Sequence, residues 1–215
     1  MSPDDPAISV VMPVRDGAGL LARAVASVRA QSFGRWELLV TDDGSTDQTP
    51  ELLAAYAAAD PRVRVFRHPA SRGVSAARNT AIRAARADVV AYLDHDDEYY
   101  PDYLAAVDRW RGRGDVLVFA YDQVEERPGH PGFGTVRTYD PRAYYDQLPH
   151  RNIVVPLGVA HRRALFDRVG RFDEARVREE DADLWRRFAR AGAAFAFVGE
   201  RSGRYHVRPG SLSRS

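Results

Sequence analysis

The chain contains no cysteine and no lysine. Without cysteine there are no disulfides, thiolate zinc centres or Cys nucleophiles, and the composition suits a reducing compartment. Without lysine, a P-loop lysine, a pyridoxal-phosphate Schiff base and a lysine general base are all excluded. A surplus of either charge is lacking too. Lys+Arg 31 against Asp+Glu 30 leaves a formal net charge of +1, which gives no footprint for nucleic acid or an anionic bilayer. No apolar run reaches membrane-spanning length, and the N-terminal MSPDDPAISVVMPV has acids where a signal peptide has bases. The expected location is cytoplasmic, with peripheral attachment at the inner membrane face as the other option. What is present is 215 residues, 45% hydrophobic and 28% charged, enough to bury a core unaided as one domain or two closely packed halves.

Apolar, β-branched runs at 8–14, 36–42, 62–66 and 88–94 read as strands buried on both faces, hence parallel. Helical patterns lie between them at 19–31, 49–59 and 75–87, the last with Ser75 in position to cap its N-terminus. This alternation predicts a doubly wound α/β half that binds ligands at the carboxyl ends of its strands. Beyond a helix starting near Pro101 comes a strand-like DVLVFAYDQVEE, then a Gly/Pro-rich loop and loss of regularity to about residue 150. Segments 162–170 and 179–192 read as helices and 193–200 as a strand. The expected organisation is a single domain over 1–215, with a ligand-binding half over 1–110 and a customising half over 111–215.

Three acidic groups carry the chemistry. AYLDHDDEYYPD places Asp94, Asp96, Asp97 and Glu98 where the fourth strand should end. Carboxylates this close repel, and a hard divalent cation such as Mg²⁺ or Mn²⁺ relieves them with oxygen ligation; an acidic turn capping the next helix is the plainer reading. TDDGSTD (41–47) follows the second strand and shares its rim, although alone it is ordinary turn chemistry. In REEDADLW, Asp181 lies three before Leu184 and four before Trp185, so it shares their inward-facing stripe. A carboxylate held in a cleft suits a general base, while helix N-terminal charge compensation is its structural alternative. Gly17-Ala-Gly-Leu-Leu-Ala22 imitates a dinucleotide fingerprint, but Pro13, Val14, Arg15 and Asp16 intervene where a tight turn is needed.

Taken in order, ISVVMPVRD, SVRAQSFGRWELLVTDDGSTD, SRGVSAARNTAI, VVAYLDHDDEYYPDYL, VGRFDE, EEDADLW and RYHVRPGSLSR resemble the family 2 glycosyltransferases of GT-A fold over nearly the whole chain. The resemblance implies a Rossmann-like, mostly parallel sheet flanked by helices, with a nucleotide-sugar half and an acceptor half. It implies a nucleotide-diphospho-sugar donor, with UDP-sugar the first expectation, and a divalent Mn²⁺ or Mg²⁺. Pro13, Val14, Arg15, Asp42 and Asp43 would lie by the base and Arg78 toward the nucleotide or diphosphate. Asp94 would meet ribose and metal, and Asp96 the metal, with His206 completing the shell. Asp181 matches the base that deprotonates an acceptor hydroxyl, giving inversion. Arg15 and Asp16 stand where many relatives have Tyr-Asn, so a guanidinium replaces an aromatic ring beside the base.

Other readings of the same clusters are a non-catalytic nucleotide-sugar-binding module, a metal-dependent nucleotide-sugar phosphohydrolase and, more distantly, a dinucleotide oxidoreductase. The acceptor, whether a saccharide, a lipid-linked molecule or a small molecule, is not encoded legibly, and its contacts are expected from 125–160. A homodimer is possible; nucleic acid is not an expected partner.

Overall fold

All seven side chains of β1 (Ile8–Val14) are buried, a state possible only for a strand covered on both faces. β1 pairs in parallel with β2 (Trp36–Asp42) on one side and β4 (Val89–Tyr92) on the other, and β2 pairs in parallel with β3 (Val63–Arg67). Parallel neighbours require crossovers, supplied by α1 (Leu21–Arg29), α2 (Thr49–Ala59) and α3 (Val74–Ala84). The computed structural model describes residues 5–142 and 154–209.

The pleat of β1 sorts its side chains. Ile8, Val10, Met12 and Val14 join a core with Leu21, Val25 and Val28 of α1, Leu53 of α2 and Leu104 of α4 (Tyr103–Trp110). Val11 faces a second core formed by Ala81 and Ile82 of α3, Leu165 and Phe166 of α5 (Leu165–Val169), and Leu184, Trp185 and Phe188 of α6 (Glu180–Arg190). The result is a sheet between two helical layers.

One nine-stranded sheet runs through both halves of the chain, in the order β3-β2-β1-β4-β8-β6-β9-β5 with β7 beside β6. β8 (Val159–Arg162) is antiparallel to both β4 and β6 (Val116–Glu125). β6 then runs parallel to β9 (Phe195–Val207) along most of its length. Short β5 (Glu98–Tyr99) and β7 (Val136–Tyr139) add antiparallel edges to β9 and β6. By residues in register, parallel pairing predominates, as expected for this fold.

The first-half strands appear at or within a few residues of their expected positions. α3, however, starts at Val74 with Gly73 (φ 92°) at its N-cap, not with Ser75 as the cap. Asp43 accepts the amides of Arg72 and Gly73 at 2.9 Å each and so fixes the turn that leads into the helix.

Candidate active site

The strand order reverses about β1, so the crevice between the carboxyl ends of β1 and β4 is the topological switch point where such sheets bind ligands. Val14 is level with Asp42 across the β1–β2 pair, and the Asp43 amide donates to Val14 O at 2.8 Å. Pro13, Val14, Asp42 and Asp43 thus share one rim. Asp43 also accepts from Ser71 Oγ at 2.7 Å and pairs with His68 Nδ1 at 2.6 Å. Burial opposes its ionisation, but these bonds outweigh burial and hold the carboxyl below its ordinary value. Asp42 accepts the Ser45 amide and lies 3.2 Å from Arg67 Nε.

The loop after β1 is tied to the loop after β2. The amides of Asp16, Gly17 and Ala18 donate to Ser45 Oγ, Thr49 Oγ1 and Asp47 Oδ2. Amides that a dinucleotide pyrophosphate would need are therefore already engaged, and the glycine fingerprint has a different cause. A Cβ on Gly17 would lie 2.6 Å from His95 Cδ2, so the first glycine is there to admit the middle residue of the Asp94-His95-Asp96 turn. Arg15 projects from this loop with 58% of its side chain exposed, and its Nε lies 3.6 Å from Asp16 Oδ2.

Arg78 is the pivot of the acidic turn. Its side chain is only 3% exposed; Nη2 donates to Asp94 Oδ1 at 2.9 Å and Oδ2 at 3.2 Å, and Nη1 donates to Glu180 Oε1 at 2.7 Å. The two carboxylates outweigh the burial that would otherwise discourage its charge, and its pKa is raised. Arg78 thus braces Asp94 against the first turn of α6. Asp96 is less compensated. Burial and the neighbouring Asp94 charge push its carboxyl above the ordinary range, while Arg208 Nη1 stands 3.8 Å away and Arg23 is occupied with the Asp96 carbonyl. Asp97, buried and likewise raised by desolvation and by Asp96 and Asp94, accepts the His206 amide at 2.9 Å.

His206 lies near the end of β9. Its Nδ1 is 2.8 Å from Glu126 Oε1; its Nε2 is buried, makes no hydrogen bond and lies 3.4 Å from Glu98 Oε1. Burial, with the Arg23 charge, holds the ring below its ordinary pKa against the opposing pull of Glu126. An imidazole anchored through one nitrogen with the other unsatisfied suits metal ligation. No group of three or more His, Asp or Glu side chains among the described residues is arranged to hold a cation alone. The unsatisfied Nε2 of His206 keeps this residue, with Asp94 and Asp96 of the acidic turn, as the candidate set for a divalent cation.

Asp181 sits in the first turn of α6 and is 8% exposed, as its place on the inward stripe predicts. Its Oδ1 accepts the Ala182 amide at 2.7 Å. Preceding it, Glu179 adopts a left-handed conformation (φ 55°), and Glu180 is the residue gripped by Arg78. Asp181 is thereby one residue from the brace that reaches Asp94. Burial, with smaller repulsion from Tyr139, Tyr205, Asp97 and Asp181, raises the Tyr121 hydroxyl pKa. Two contributors escaped sequence reasoning. Glu126 closes the strand-like DVLVFAYDQVEE with no motif of its own, and Asn79, which bonds Phe172 N, Phe172 O and Glu174, sits in a helical pattern like its neighbours. Residues 143–153, within the segment 125–160 expected to supply acceptor contacts, lie outside the described residues, as do residues 210–215 of the tail.

Comparison with known proteins accords with this geometry. Residues 9–169 match the model of glycosyl transferase family 2. Protein y4gI of Sinorhizobium fredii is 38% identical over 182 residues, covering 83% of this chain and 20% of that protein. The succinoglycan biosynthesis protein ExoO of Rhizobium meliloti is 31% identical, covering 97% of this chain and 63% of that protein. Among solved structures, S. aureus TarS 1–349 in complex with UDP-GlcNAc has a TM-score of 0.75 at 20% identity, over 97% of this chain and 61% of that one. Mannosyltransferase PcManGT from Pyrobaculum calidifontis, in complex with GDP-Man and Mn²⁺, has a TM-score of 0.72 at 23% identity, over 97% and 59%. These two likenesses show the GT-A fold. The chain spans only part of the length of these relatives. With the family model matched over most of its length, the chain belongs to glycosyl transferase family 2.

Proposed function

We propose that this chain transfers a sugar from a nucleotide-diphospho-sugar to an acceptor hydroxyl, with metal dependence and inversion of configuration. The observation that carries the reading is the Arg78 brace. One buried guanidinium holds Asp94 of the acidic turn and Glu180 beside Asp181, and so ties the donor-side carboxylates to the helix that carries the candidate base.

The base of the donor would lie against Pro13, Val14 and Arg15, near Asp42 and Asp43. TarS was solved with UDP and PcManGT with GDP-Man, and a UDP-sugar is the first candidate for this chain. Arg78 serves the diphosphate end by fixing Asp94. A Mn²⁺ or Mg²⁺ held by Asp96, Asp94 and His206 would neutralise the departing diphosphate. Asp181 takes the acceptor hydroxyl proton while that oxygen bonds to the anomeric carbon and the bond to the diphosphate breaks on the opposite face. The proton ends on Asp181, and the electron pair leaves with the nucleoside diphosphate. No covalent enzyme intermediate is needed, which accords with a chain lacking Cys and Lys.

The test is a thermal-shift panel of UDP, GDP, CDP and dTDP, each with Mn²⁺, Mg²⁺ or EDTA, on the wild type and on Asp181→Asn. A ligand that binds only the folded state raises the melting temperature. One nucleoside diphosphate should stabilise both proteins, more with metal than with EDTA. Asp181→Asn should lose at least about 100-fold in transfer, the usual scale of general-base catalysis. Transfer at the wild-type rate by Asp181→Asn removes the base assignment, and sugar release at equal rates with and without acceptors replaces transfer by hydrolysis.

A further inference from the structure

We propose that Glu126 is the positioning residue for His206, fixing the imidazole so that Nε2 is offered to the cation of the donor complex. The inference rests on the metal-dependent reading above and adds a residue that the sequence motifs do not contain.

Glu126 immediately follows β6, and its amide donates to Val207 O at 2.8 Å, extending the β6–β9 pairing by one step. That step sets its side chain beside the end of β9, where its two oxygens take different partners. Oε1 meets His206 Nδ1 at 2.8 Å, and Oε2 accepts from Arg208 Nε at 2.6 Å. An ionised carboxylate only accepts, so the nitrogen facing it carries the ring proton and Nε2 of the neutral ring keeps its lone pair. Among the described residues it meets no hydrogen-bond donor. Nε2 is buried without a partner, and the group recorded near it, Glu98 Oε1 at 3.4 Å, is another acceptor. Two acceptors this close in a buried place are unfavourable until a proton or cation comes between them. Asp96 lies two residues before Glu98, and its carboxylate faces, at 3.8 Å, the guanidinium of Arg208, the other side chain Glu126 holds.

A mere surface ion pair would predict none of this ordering. Glu126 is 32% exposed at its side chain, whereas His206 is 5% exposed, so the carboxylate reaches inward from the rim to fix a buried ring. Orienting partners of this type are worth 10- to 100-fold in metal affinity.

The experiment titrates Mn²⁺ into the protein with saturating nucleoside diphosphate, following the free-ion EPR signal, for wild type, Glu126→Ala, Glu126→Gln, His206→Ala and the Glu126→Ala/His206→Ala pair. Imidazole ¹⁵N spectra of the metal-free proteins report the tautomer. Glu126→Ala should weaken Mn²⁺ about 10- to 100-fold, the isosteric Glu126→Gln should weaken it less, and the double variant should be no weaker than His206→Ala alone. Wild-type spectra should show the Nδ1–H tautomer, and that preference should fall in both Glu126 variants. If His206→Ala weakens Mn²⁺ but neither Glu126 variant does, or if the two losses simply add, the positioning role is wrong while the metal site stands. If the wild type binds no Mn²⁺ with any of the four nucleoside diphosphates, the metal-dependent reading fails and this inference with it.

Discussion

At Gly203 a single methyl group decides whether two strands can meet. A Cβ there would run into the Glu98 carbonyl oxygen, within the β5–β9 pair that follows the acidic turn. Gly203→Ala should therefore push β5 from β9 and destabilise the fold by about 1–3 kcal/mol, the usual cost of overpacking. Gly34→Ala, where a Cβ meets nothing within 4 Å, should stay within about 0.5 kcal/mol of wild type. Urea unfolding of the two variants makes the comparison, and equal midpoints would show that β5 yields freely. The sequence displayed Asp94, Asp96 and Asp181 as candidates because carboxylates are conspicuous in apolar surroundings. It did not display Gly203 or Glu126, because the meaning of each depends on a strand pairing between distant parts of the chain.

Elements were legible in proportion to their length and to how far local pattern controls them. β1 and β2 stand at their expected bounds because seven consecutive buried residues leave a strong apolar run. β5, β7 and β8, of two to four residues, carry no periodicity of their own and exist through their partners. β9 continues well past the expected end at residue 200, through the polar RSGRYHV, because β6 supplies a parallel partner across register shifts. The loop from Phe172 into α6 depends on α3 in the same way. Asn79 Oδ1 accepts the Phe172 amide at 3.0 Å, and Nδ2 donates to Phe172 O and Glu174 Oε1 at 2.9 Å each. Asn79→Ala removes all three and leaves buried backbone groups at Phe172 unpaired, for a loss of about 1–3 kcal/mol. Amide exchange should accelerate most over residues 171–181, where the loop delivers Asp181, while β1 and β2 change less. Uniform acceleration throughout the chain would mean that the loop is held by something other than Asn79.

For the whole molecule, a buried neutral histidine couples the aromatic core to pH. His161 of β8 packs against Phe166, Trp185 and Phe188, its Nδ1 lies 2.9 Å from Arg162 O and its Nε2 lies 2.7 Å from Tyr92 OH. A carbonyl only accepts, so Nδ1 carries the proton and Nε2 accepts from the tyrosine. Burial depresses its pKa from 6.5 to about 4, slightly offset by the bond to the Arg162 carbonyl, so the folded state resists a protonation that the unfolded chain accepts. The stability this contributes is complete above pH 6.5 and lost as pH falls from there to about 4, a change of about 3 kcal/mol. Glu37 and Asp43, held below their ordinary values by hydrogen bonds that outweigh burial, lose their contribution at still lower pH. Asp97 is raised and acts with the opposite sign, which makes the wild-type curve alone a poor witness. The difference between wild type and His161→Phe cancels what they share. The phenyl ring suits the aromatic cluster but abandons the Tyr92 hydroxyl, so this variant should be less stable at pH 7.5 by about 1–3 kcal/mol. Between pH 6.5 and 4.5 the gap should narrow by up to about one proton's slope, 1.4 kcal/mol per pH unit. Urea midpoints at pH 7.5, 6.5, 5.5 and 4.5 measure it, and parallel curves would place the acid sensitivity of this fold outside its aromatic core.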